Sequence, residues 1–90
     1  MKQVRTHRFN GVKYDIDIDE GARVEGLCDD PIDPTPSVRI YVDLSTRPGF
    51  ETALHEAMHA SLWQLSEVDV TRAASEIANF LWRLGYRRHG

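Results

Sequence analysis

The chain has 90 residues, a formal net charge of −3, mean hydropathy of −0.45 and a single cysteine. That length suits one small domain with a modest core. The lone cysteine excludes an internal disulfide, and the acidic balance argues against nucleic-acid binding.

No apolar run follows Met1 to Arg5 and no window holds eighteen apolar residues. A secretory leader and a membrane span are therefore not expected, and a cytoplasmic location is. Charge is uneven. Residues 1–13 carry Lys2, Arg5, Arg8 and Lys13 and no acid, whereas residues 15–33 carry eight acids against Arg23. Two solvated surfaces of opposite sign account for this most simply.

Asn10-Gly11 separates two strand-like runs, Val4 to Phe9 and Val12 to Ile18. Both turn positions tolerate positive φ, so a β-hairpin is predicted. In the second arm Val12, Tyr14, Ile16 and Ile18 alternate with Lys13, Asp15, Asp17 and Asp19, giving one apolar and one wet face. The acids do not form an EF-hand, because Glu20 stands where that loop needs Gly and Gly26 where it needs Glu.

Glu20 to Ser37 contains Gly21, Gly26, Pro31, Pro34 and Pro36 and reads as loop, with a short strand near Ala22–Leu27. So long a loop offers a wall or lid for a cleft. Cys28 within it is read either as a small apolar residue or as a metal thiolate. Val38 to Val42 is β-branched and aromatic and predicts a strand.

From Phe50 to Leu84 there is no Gly or Pro. A first helix is predicted over about 49–65, with Pro48 suited to a turn or to a first helical turn and Glu51 to the positive helix N-terminus. Ser66-Glu67-Val68-Asp69 breaks it, with Ser66 or Asp69 able to cap a second helix over about 70–84. That helix carries an apolar stripe of Val70, Ala73, Ala74, Ile77, Ala78, Phe80, Leu81 and Leu84. The whole is an α+β fold, a small antiparallel-type sheet packed on two antiparallel helices.

The first helix contains His55-Glu56-Ala57-Met58-His59, the pattern H-E-x-x-H. Residues four apart lie on one helix face, so both imidazoles can bind one metal ion. Glu56 is turned about 100° from His55. It flanks the metal, where it can take a proton from an activated water. A catalytic zinc usually has three protein ligands. Glu76, beside the apolar stripe of the second helix, is the best candidate for the third, with Asp69 and Glu67 as weaker rivals that would need their connection to fold inward. The plain alternative for Glu76 is a surface pair with Arg72 or Arg83.

Thr52 to Ala60, followed by Glu76 within Ala74 to Phe80 and preceded by the strand Val38 to Val42, resembles the zincin metallopeptidases whose third ligand is a glutamate on a second helix, including compact ImmA/IrrE-type proteins. The resemblance covers about residues 38–84. It implies a single zincin-like domain over residues 1–90, Zn2+ held by His55, His59 and Glu76, Glu56 as general base, and a peptide or protein substrate paired along a strand beside the motif helix. No motif places the oxyanion donor; Tyr41, Tyr86 and His7 are candidates. The alternative function is a non-catalytic zinc module that grips a protein partner, in which Cys28 or His89 would complete a closed site.

Overall fold

The computed structural model describes residues 4–19 and 25–88. It consists of β1 (Thr6–Phe9), β2 (Val12–Ile18), β3 (Gly26–Cys28), β4 (Ser37–Ile40), α1 (Arg47–Ser61) and α2 (Glu67–Arg83). The α+β class, a small sheet with two C-terminal helices, is as the sequence predicts, with the sheet packed directly on α1 and α2 laid against α1. Ala22 and the start of the strand expected near it, along with His89, lie outside the described residues.

Asn10 and Gly11 take φ of 50° and 78°, the left-handed geometry of a tight hairpin, and β1 pairs with β2 from Thr6↔Asp15 to Phe9↔Val12. The four strands run in the order β1-β2-β4-β3. The outer pairings, β1 with β2 and β3 with β4, are antiparallel. The central one is not, since β2 and β4 are parallel, with Ile16↔Val38 and Ile18↔Ile40 in register. The chain passes beyond the position of β4 to form edge strand β3, then turns back to insert β4 beside β2. That return comes from the proline-rich segment expected to be irregular. Asp29 Oδ2 accepts from both the amide and the hydroxyl of Ser37 at 3.0 Å, and Asp30 Oδ1 accepts from the Ile32 amide at 3.0 Å. The Asp30 bond makes an Asx turn, and the Asp29 bonds tie the two ends of the connection together.

The alternation in β2 puts Tyr14, Ile16 and Ile18 on the face toward α1, where Tyr14, Val38, Ile40 and Ala60 form the buried core. Phe9 meets Tyr14 edge-on with ring centroids 5.6 Å apart.

Both helices begin earlier than predicted, and α1 also ends earlier. Thr46 caps α1, its hydroxyl accepting from the Gly49 amide at 3.2 Å, and Pro48 fits the first turn because that amide is not needed there. The helix stops at Ser61. Ser66 then caps α2, accepting from the Asp69 amide at 3.1 Å. The Ser66-x-x-Asp69 pattern is a capping signature, and it starts α2 at Glu67 rather than Val70. Trp82 against Phe50, with centroids 6.0 Å apart, and Arg47 bound to Asn79 hold the start of α1 to the far end of α2. Among the described elements α2 packs on α1 and on no strand. No helix among the described residues is long and apolar enough to cross a membrane.

Gly49 is pressed against the preceding turn, where a Cβ would overlap the Asp43 carbonyl. The obstacle is backbone, so it cannot swing aside. Gly49→Ala is expected to cost about 3 kcal/mol or to prevent folding, the upper range for overpacking. Urea denaturation followed by circular dichroism measures it, and a midpoint equal to wild type would contradict this packing.

Candidate metal centre

His55 and His59 stand one turn apart on α1 with their Nε2 atoms 3.1 Å from each other. The carboxylate of Glu67, first residue of α2, reaches both, with Oε1 2.9 Å from His55 Nε2 and Oε2 2.7 Å from His59 Nε2. One ligand atom from each of these three residues lies within 4.8 Å of the other two. Zinc with ligands at about 2.0–2.1 Å in tetrahedral geometry needs donor atoms roughly 3.3 Å apart. The donor set is two imidazoles and a carboxylate, which zinc accepts, so the residues fit such an ion.

Glu76 is not part of this group. It lies nine residues beyond Glu67, which on an α-helix is about 180° of rotation and roughly 13 Å of rise. It is exposed, with its carboxylate 3.7 Å from Arg72 Nη1, the plain surface pair set against the ligand reading above. Asp69 is also turned outward and pairs with Arg72 at 3.5 Å. The connection did not need to fold inward to deliver Glu67. It needed only to be short and to end at Ser66, so that Glu67 opens α2 above the last turn of α1.

Glu56 follows His55 and is buried, only 6 % exposed. Burial pushes its carboxyl up to about 7, the charge of Glu67 adds to the rise, and His55 opposes it. Burial also works against ionisation of Glu67, but the two imidazoles outweigh it and hold that carboxyl below the usual range. Two carboxylates beside one His pair thus have opposite tendencies. The buried one readily carries a proton near neutrality, and the exposed one stays charged.

The burial of Glu56 comes from β3. A Cβ on Gly26 would lie 2.8 Å from Glu56 Oε2 and 2.9 Å from Thr52 Cγ2, so only glycine lets the strand lie this close to α1. The strand that rims the site is therefore β3, not the Val38 to Val42 segment, which is one strand further in. The Glu25 carbonyl accepts from the Tyr41 amide, and the Asp29 amide donates to the Ser37 carbonyl. By the alternation of an antiparallel ladder, Gly26 and Cys28 turn their backbone groups away from β4, along the free edge.

Two depressions flank this edge. One, of about 520 Å³, is lined by residues that include Glu25, Arg47, Glu51, His55 and Glu56. The other, of about 330 Å³, is lined by Cys28, His59, Trp63 and Glu67 among others. His7, Tyr41 and Tyr86 line neither. His7 instead meets the Phe9 ring at a tilt of 58°, with centroids 4.8 Å apart. Arg47 does line the larger depression, with its guanidinium held by Glu51 at 2.6 Å and by Asn79.

The chain matches no family model, no curated protein and no solved structure.

Cys28 is half-buried, and its thiol lies 3.6 Å from the Asp29 carbonyl. Burial, with smaller contributions from Glu56 and Asp29, pushes the thiol up to about 12. The thiolate is the reactive form, so iodoacetamide at pH 8 is expected to label Cys28 on the order of a hundredfold or more slower in the folded chain than in urea. Equal rates would show that the β3 wall does not enclose the sulfur.

Proposed function

We propose that the chain is a zinc-dependent peptidase in which His55, His59 and Glu67 hold the ion and Glu56 is the general base. The observation that carries this reading is the convergence of three ligand atoms beside a separate, buried carboxylate. A purely structural site has no use for the fourth group, and none of its atoms is needed to complete the triad.

When bound, zinc supplies Lewis-acid chemistry, polarising a carbonyl and bringing the pKa of a water near 7. The remaining work falls to the side chains. Glu56, buried beside the His pair and outside the ligand set, is placed to accept a proton from the attacking water and return it to the leaving amine. The outward backbone groups of Gly26 and Cys28 offer an extended peptide a strand to pair with, which would lay a scissile bond across the His pair. The larger depression, with Glu25 and Glu51 at its walls, receives the flanking part of such a peptide.

Metal analysis of purified protein tests the ligand set. One zinc per chain is expected in wild type and in Glu76→Ala, and loss of the metal in His59→Ala and Glu67→Ala. Glu56→Gln is expected to keep the zinc and to lower turnover of a peptide library by about 10²- to 10⁴-fold, the usual contribution of a general base. Zinc retained in Glu67→Ala, or undiminished hydrolysis in Glu56→Gln, would overturn the assignment.

A further inference from the structure

The apolar stripe of α2 is wider than α1 can cover. Val70, Ala74 and Ala78 are buried against α1. Ile77, Phe80 and Leu84 are 41 %, 61 % and 59 % exposed. At about 100° per residue these three fall with Ala73 on one face, adjoining the buried one. No described strand contacts α2, so the described sheet does not cover them. Ala73, Ile77, Phe80 and Leu84 are spaced four, three and four residues apart. That is the hydrophobic repeat by which two helices pack knobs into holes.

The charges beside this stripe select its occupant. Glu76 immediately precedes Ile77 and Arg83 immediately precedes Leu84, so both hold the same flanking position of the repeat. In an antiparallel pair related by a two-fold axis, Ile77 layers on the partner's Phe80 and Ala73 on the partner's Leu84. Glu76 then comes within about two residues' rise of the partner's Arg83, and the symmetry makes the contact twice. A parallel pair would set Glu76 beside the apolar Leu81 and leave Arg83, the last residue of α2, without a flanking partner, because the helix stops at the Leu84 cap and Gly85 turns the chain away. Arg83 has no acidic partner among the described residues. Among the described residues Glu76 pairs only with Arg72, in an open contact whose two side chains are 68 % and 65 % exposed and which competes little.

We propose that the chain forms a two-fold dimer through antiparallel pairing of α2, with Ala73, Ile77, Phe80 and Leu84 as its seam and Glu76 and Arg83 as its register. The outer face of α2 then serves self-association, while its first residue serves the metal centre on the other side. The dimer does not depend on the proposed catalysis and is tested without it.

Sedimentation equilibrium of the purified chain should give twice the 10.3 kDa chain mass. Phe80→Asp should return it to the monomer mass with an unchanged circular dichroism spectrum. Glu76→Arg and Arg83→Glu should each weaken the dimer on the order of tenfold, and the two together should restore it. In a Cys28→Ser background, Ala73→Cys mixed with Leu84→Cys should cross-link on oxidation, whereas neither should cross-link alone. A monomer at the highest concentration reached, a dimer indifferent to Phe80→Asp, or no recovery in the charge-exchanged variant would overturn the proposal. So would cross-linking of Ala73→Cys with itself, which requires a parallel pair.

Discussion

Among the described elements the second helix packs on the first helix alone, and that dependence shapes the site. With no strand beneath it, α2 is positioned by small residues packed on α1 and by side-chain ties at both ends. At one end Arg47 binds Asn79, and Trp82 meets Phe50. At the other, Glu67 spans the two imidazoles. Val70, Ala74 and Ala78 keep bulk out of the contact, so the helices approach closely. The close approach brings the first residue of α2 over the last turn of α1. A shift of one turn would carry Glu67 about 5 Å from the His pair.

The other half of the site rests on the absence of a side chain. Gly26 lets β3 lie against α1, and the strand closes over Glu56. Burial then makes the carboxylate form costly, which is why this glutamate and Glu67 shift in opposite directions although both lie beside His55. The fold arranges this with a mixed sheet. Only because β4 returns between β2 and β3 does a free, antiparallel edge lie next to the helix that carries the histidines. Asp29, binding Ser37 through three separate contacts, fixes that return.

These two constraints divide α2 into two faces. One meets α1 and carries at its N-terminal end the carboxylate that meets the histidines, and the face of Ile77, Phe80 and Leu84 meets neither. Leaving so much apolar surface on a helix of a small domain is costly unless something covers it. The alternating charges at its border limit what that can be.

Local chemistry alone determined a good deal. Asn10-Gly11 and the alternation from Val12 to Ile18 specify the hairpin, because turn dihedrals and strand period are properties of a few adjacent residues. The same holds for the helical run from Phe50 to Leu84 and for the shared face of His55 and His59. Even the start of α2 was written in Ser66-x-x-Asp69. Tertiary structure decided which carboxylate completes the group. Glu76 has the right stripe and the wrong side of the helix, whereas Glu67 is placed by where the connection ends. It also decided that β3 rather than β4 borders the cleft, and that the single apolar stripe read along α2 is two faces with different fates. Periodicity fixes an angle about a helix axis, but which neighbour lies at that angle depends on how elements distant in sequence pack.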